Sequence, residues 1–158
     1  MRLTAASARP MTAETRVEVR VSTIPTVLDG QVRILELESF RDDRGTLTHI
    51  TLDEVGLTVA RSFVVRAPRG AVRGGHAHRR VRQVLFRASG TIRVDLSRHG
   101  EHASVVLDEQ RPAVLIEAGV WAQQTYLDDG STLIVFADGP FDPAEYTTDD
   151  DATTEDAS

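Results

Sequence analysis

The stretch GAVRGGHAHRRVRQVLFRASG, residues 70–90, holds two histidines two positions apart, glycines on either side of them, and a following run in which apolar and polar residues alternate. Alternate side chains of a β-strand share a face, so a strand through His76 and His78 projects both imidazoles together and points Ala77 the other way. From the residues alone, the pair is a metal clip, an acid/base pair aimed at an anionic substrate, or two ordinary polar residues at a strand rim.

Outward from this stretch the same alternation recurs. VRILELESF, GTLTHITL, ARSFVVRA, VRQVLFRA, TIRVDL, ASVVL, AVLIE, WAQQTYL and STLIVFA are short runs rich in Val, Ile, Leu and Thr, separated by turn segments such as DDRG, APRG, ASG, RHGEH, EAG and LDDG. That rhythm predicts an all-β domain of antiparallel strands, a jelly roll. Only DEVGL reads as a short helical turn, and no stretch sustains a 3.6-residue apolar repeat, which disfavours parallel α/β folds.

Composition narrows the chemistry. The 158 residues suit one domain. There is no cysteine, which excludes disulfides, thiolate nucleophiles and zinc–thiolate sites, and every one of the 18 basic residues is arginine, so no lysine side chain is present for Schiff-base chemistry. The first residues lack the apolar core of a secretory signal and no apolar run is long enough to span a bilayer; the expected location is cytoplasmic, with no membrane partner.

Charge is unevenly spread. The formal net charge of -6 arises in the last 18 residues, FDPAEYTTDDDATTEDAS, which hold seven carboxylates and no base. Residues 1–28 are expected to be a mobile arm or a strand lent to a partner, 29–146 the jelly-roll domain, and 147–158 an acidic, disordered tail. Ten of the 18 arginines fall between Arg61 and Arg98, against the single acid Asp95. Such a patch suits a phosphorylated small ligand. The low aromatic content gives no stacking pattern for nucleic acid, and none is expected as a partner.

The spacing of Gly70, His76, His78, Gln83 and Gly90 resembles the first motif of the cupin superfamily, whose members are double-stranded β-helices built as jelly rolls. Metal-binding cupins usually carry Glu where this chain has Gln83, and a third His where EAGVWAQQ places Ala122. Two imidazoles and a neutral amide make a poor divalent-cation site, and the site is expected to be metal-free. RGGHAHRRVRQVLFRASGTIRVDL, together with GVWAQQTYLDDGSTLIVFADGPFDPAEY, is similar more narrowly to the sugar 3,4-ketoisomerase family of cupins, over about residues 32–146.

That resemblance implies an isomerase acting on dTDP-4-keto-6-deoxyglucose or a related dTDP-sugar, a homodimer that exchanges N-terminal strands, and no cofactor. It implies acid/base work for His76 and His78, which suits imidazole because its pKa lies near working pH. Nearby arginines are expected to keep an imidazole neutral. Arg61 and Arg73 are implied to hold the nucleotide-sugar, with Gln83, Trp121, Gln123 and Tyr126 as further substrate-binding candidates; Trp121 also fits a core residue beneath the site. The chain departs from the family in having Phe63 and Val64 where a tyrosine is typical and Ala122 where a histidine is. Tyr126, on the face of Ala122 by even spacing, is the candidate replacement hydroxyl. Two other readings stay open: a catalytically altered cupin that binds a nucleotide-sugar or a partner enzyme, and a metal-dependent cupin using His76, His78, Gln83 and a fourth ligand such as His49.

Overall fold

The computed structural model describes residues 25–148. Two sheets, antiparallel throughout, face each other. One runs in the order β1 (Thr26–Val27), β2 (Val32–Leu35), β10 (Ala113–Ile116), β7 (Gln83–Ser89), β12 (Ser131–Ala137), β5 (Arg61–Ala67). The other runs β13 (Tyr146–Thr147), β6 (Val72–His78), β11 (Trp121–Tyr126), β8 (Ile92–Arg98), β9 (Glu101–Leu107), and a separate hairpin pairs β3 (Ser39–Asp42) with β4 (Gly45–Thr48). This is the antiparallel jelly roll that the alternation predicts.

Strand β12 shows how sequence becomes packing. In STLIVFA the burial alternates strictly, with Ser131, Leu133, Val135 and Ala137 buried between neighbours that are only partly so. Leu133 and Val135 enter the core between the sheets, where they join Val32, Leu85 and Val114 of their own sheet and Ile92, Val94, Leu96, Val105 and Tyr126 of the other. Each such aliphatic side chain removed from water contributes about 1.5–3 kcal/mol before chain entropy is subtracted.

The six-stranded sheet is also covered on its outer face. Val84, Ala113 and Leu115 pack there with Leu35 and Leu57, and Leu37, Ile50, Leu52 and Val55 close over them. A sheet wet on one side alternates; this one buries all four residues of AVLI, Ala113–Ile116.

The outer cover also explains two differences from the sequence reading. VRILELESF is two strands, because the chain leaves the sheet after Leu35 to lay Leu37 on the outer cluster. GTLTHITL is a strand only to Thr48, since Ile50 and Leu52 turn onto the same cluster. The expected helical turn at DEVGL is present as a 3₁₀ turn over Leu52–Val55, closed by Gly56 at φ 74°.

Gly90 is fixed by a close approach. It turns β7 into β8 at φ 72°, and a Cβ there would stand 2.8 Å from the Ser131 Cα. Only glycine lets the turn lie against the start of β12.

At its margins the sheet system includes Thr26 and Val27, paired with Arg33 and Val32, and Thr147, paired with Ala77. The rest of the expected N-terminal arm, residues 1–24, and of the acidic tail, 149–158, lies outside the described residues. Among the described residues no helix is long and apolar enough to cross a membrane.

Candidate active site

Between the two sheets lies a cavity of about 190 Å³. The six-stranded sheet gives it an apolar wall of Phe63, Val65, Leu85, Leu133 and Val135, with Gln83 at its polar edge. Facing these, β6 supplies Arg73, Gly74, His76 and His78, β11 supplies Ala122 and Gln124, and β13 supplies Tyr146. One wall is apolar and the other carries the cationic and titratable side chains.

The backbone of β6 arranges that second wall. Gly74 and Gly75 sit at φ 78° and 80°, and the pairing with β11 slips there, so that His76 faces Ala122 while Gly74 faces Gln123. The extra residue is a bulge, and it changes which side chains face inward. Arg73 therefore lines the cavity with His76 and His78 although strict alternation would send it to the other face. A Cβ on Gly74 would come 2.8 Å from the Ala122 carbonyl oxygen and from Gln124 Oε1, so the bulge depends on glycine.

The two imidazoles lie 5.0 Å apart between ring centroids, at 73° to one another. Burial is the main reason that the His78 pKa falls to about 4, and the positive charges of His76, when protonated, and of Arg61 push the same way, against the carboxylate of Glu145. Burial also lowers His76, against a hydrogen bond at Gly74. The expectation that arginines keep the pair neutral is corrected in emphasis: desolvation comes first and Arg61 is a secondary cause. Both rings are neutral at pH 7 and able to accept a proton. The His78 main chain is pinned from the far side, its carbonyl accepting from Gly119 N at 2.7 Å.

Arg61 stands beside the lining residue Phe63, its guanidinium 5.1 Å from that ring centroid and 5.4 Å from the ring of Phe141. Its Nε is buried and has no hydrogen-bond partner among the described residues. The guanidinium is thus packed between two phenyl rings, outside the cavity lining, with a buried donor that meets no acceptor among the described residues.

The other candidates divide by the parity of β11. Trp121 and Gln123 project to the side away from the cavity, where both approach the position a Gly75 Cβ would take, and Gln124 stands in the lining instead. Tyr126 shares the inward face of Ala122 but lies in the core, fully buried, outside the lining. Its hydroxyl has no partner among the described residues, and burial raises its pKa against the pull of Arg73. Of the pair left open on β5, Phe63 is the residue that faces the cavity and Val64 is exposed.

Three polar lining residues escaped the sequence reading. Gln124 is one residue from the candidate Gln123, and alternation from the lining residue Ala122 turns it inward. Glu117 lines the cavity from the EAG turn, its carboxylate 3.9 Å from Arg33 Nη2. Tyr146, at the edge of the stretch read as tail, packs its ring 4.4 Å from that of His76 and 4.9 Å from that of His78. The only local signal for it is an aromatic after a Pro-containing turn.

Metal ligation does not fit this donor set. Among the described residues no group of three or more His, Asp or Glu converges. His49 stacks on Phe40 at 5.9 Å with its Nε2 3.7 Å from Glu38, and it is absent from the lining.

Comparison with known proteins agrees with this fold. Residues 30–156 match the family model described as FdtA, WxcM-like, C-terminal. A TDP-4-oxo-6-deoxy-alpha-D-glucose-3,4-oxoisomerase of Aneurinibacillus thermoaerophilus is 23% identical over 116 residues, which cover 72% of this chain and 84% of that protein. Among solved structures, a 3,4-ketoisomerase from Helicobacter canadensis superposes with a TM-score of 0.68 at 25% identity, covering 75% of this chain and 90% of the other. The WlaRB TDP-quinovose 3,4-ketoisomerase of Campylobacter jejuni gives a TM-score of 0.68 at 27% identity, with coverage of 75% and 92%. The chain thus belongs to the FdtA, WxcM-like C-terminal family, the sugar 3,4-ketoisomerases that its RGGHAH and GVW motifs resemble.

Proposed function

We propose that the protein moves the keto group of a dTDP-4-keto-6-deoxy sugar between carbon 4 and carbon 3, by proton transfer through His76 and His78 and without a metal or other cofactor. The observation that carries this reading is the pair of neutral imidazoles, 5.0 Å apart, in a cavity whose opposite wall is apolar.

The chemistry balances on protons alone. A neutral imidazole removes the proton on carbon 3, which the adjacent carbonyl acidifies, while the carbon 4 oxygen takes up a proton to give the 3,4-enediol. Loss of the proton on the carbon 3 oxygen and protonation of carbon 4 complete the 3-keto sugar. Electrons move from carbon 3 to carbon 4 within one molecule, so no external oxidant is consumed. A low imidazole pKa keeps the base available, and the apolar wall strengthens every charge interaction made in the enediolate. Arg73 and Gln83 stabilise the developing oxyanion, a role supported by their position in the cavity lining.

Arg61 and Arg73 hold the diphosphate. The unmet Arg61 Nε supports this role. In this reading the substrate enters from the cytoplasm and the working unit is a homodimer. Tyr126 belongs to the core, and Trp121 and Gln123 support β6 from its other side.

A second reading has its own observation: Phe63 and Ala122 both line the cavity and neither can transfer a proton. A protein with that wall binds a nucleotide-sugar without converting it. Protein stripped of metal by a chelator and mixed with dTDP-4-keto-6-deoxyglucose separates the two, since the first reading yields a 3-keto sugar at an undiminished rate and the second yields tight binding and no product.

A further inference from the structure

The C-terminal segment reaches the site through a sequence of specific contacts. Asp142 caps a 3₁₀ turn over Pro143–Glu145, its carboxylate accepting from Ala144 N at 2.9 Å. Glu145 then meets Arg80, with Oε1 accepting from Nη2 at 2.8 Å and from Nε at 3.0 Å, and Oε2 accepting from the Arg80 main-chain N at 3.0 Å. The Glu145 carbonyl accepts from Arg79 N at 2.9 Å. The Glu145 side chain is only 10% exposed although that of Arg80 is 83% exposed. The carboxylate is therefore held from within as well as by the ion pair.

That anchor sets the register of β13 against β6. Tyr146 falls directly opposite His78, and Thr147 opposite Ala77. Directly paired residues on neighbouring antiparallel strands put their side chains on the same face. The Tyr146 ring consequently leans on His76 at 33° and meets His78 edge to face at 83°. Both imidazoles have this one ring in common.

We propose that Tyr146 is a positioning residue for the His76/His78 pair, its ring held against both imidazoles by a C-terminal clasp whose anchor is Glu145 bound to Arg80. The inference rests on the reading of those histidines as the proton-transfer groups. Imidazoles on an edge-proximal strand have rotamer freedom, and a ring wedged against both removes it. Misplacing a reacting group by about 1 Å costs on the order of 100-fold in rate.

The test compares Tyr146→Phe, Tyr146→Leu and Glu145→Ala in the full chain, by steady-state kinetics and by NMR titration of the two imidazoles in the ligand-free protein. Tyr146→Phe keeps the ring, and its kcat is expected within about threefold of the parent. Tyr146→Leu removes it, and is expected to lose about 10- to 100-fold in kcat with KM nearly unchanged, while the His76 and His78 resonances shift. Glu145→Ala separates the clasp from simple charge. Loss of the carboxylate alone drives the His78 pKa lower, beside protonated His76 and Arg61, whereas release of the clasp hydrates the ring and raises it; the proposal expects the rise.

Unaltered imidazole resonances in Tyr146→Leu overturn the proposal, as does a Tyr146→Phe variant as slow as Tyr146→Leu, which would make the hydroxyl a chemical participant. Should Tyr146→Leu fail to fold, as a thermal melt would show, the sign of the Glu145→Ala shift decides. The imidazole readout does not need a substrate, so a wrong substrate assignment and a wrong role for Tyr146 give different results.

Discussion

Ala122 stands directly across from His76 in the pairing of β6 with β11, and its methyl group is part of the cavity lining. The side of the cavity facing His76 across β11 is thus an apolar surface, and the ionisable side chains of the lining are Arg73, His76, His78, Glu117 and Tyr146. Glu117 is turned toward Arg33. In the proposed reaction, proton transfer falls to the two histidines.

Their pKa values set the pH response. Burial holds His78 at about 4, below the ordinary imidazole value of 6.5. The acid limb of kcat/KM is expected below the ordinary imidazole value, and Arg61→Gln, which removes one of the charges depressing His78, is expected to move it upward. Folding stability shifts in the same sense. Between pH 6.5 and about 4 the unfolded chain binds a proton that folded His78 refuses, so stability falls as pH falls across that window. Profiles of kcat/KM and of urea midpoints against pH check both statements.

Arg61 gives a prediction about binding. Its buried Nε has no partner among the described residues, and its guanidinium lies between Phe63 and Phe141. A charge-assisted hydrogen bond contributes about 1.5–3 kcal/mol, so Arg61→Met is expected to weaken dTDP binding by roughly 10- to 150-fold, measured by calorimetry. Retained affinity would remove Arg61 from the diphosphate site.

Gly74 gives a prediction about the backbone. At φ 78°, with a Cβ position 2.8 Å from two oxygens, Gly74→Ala strains the bulge that faces Arg73 into the cavity. A loss of about 1–3 kcal/mol in stability is expected, together with a lower kcat because Arg73 and His76 share that segment. Thermal melts and turnover of the purified variant test it; an unchanged melting temperature contradicts it.

The features legible in the sequence are those set by local interactions. Alternation within STLIVFA or TIRVDL is a local property, and from it come the strands, the antiparallel class and the common face of His76 and His78. Where a strand stops to cover the outside of a sheet, as at Leu37 and Ile50, alternation simply runs on and the break is set by packing from far along the chain. The inward turn of Arg73 depends on a bulge that two glycines permit but do not announce, whereas Gln124 shares the parity of Ala122 on β11 and follows from alternation. Tyr146 reaches the histidines through an ion pair between residues 65 positions apart, Arg80 and Glu145, which no periodicity encodes.

The most direct test of the central claim is deuterium wash-in, with dTDP-4-keto-6-deoxyglucose incubated in deuterated buffer and its sugar protons followed by NMR. The wild-type protein is expected to place deuterium at carbon 3 or carbon 4 as a 3-keto sugar appears, and His76→Ala and His78→Ala are expected to be slower by about 100- to 10,000-fold while still binding dTDP. Absence of exchange and product with the wild-type protein, or undiminished turnover in both histidine variants, would contradict it.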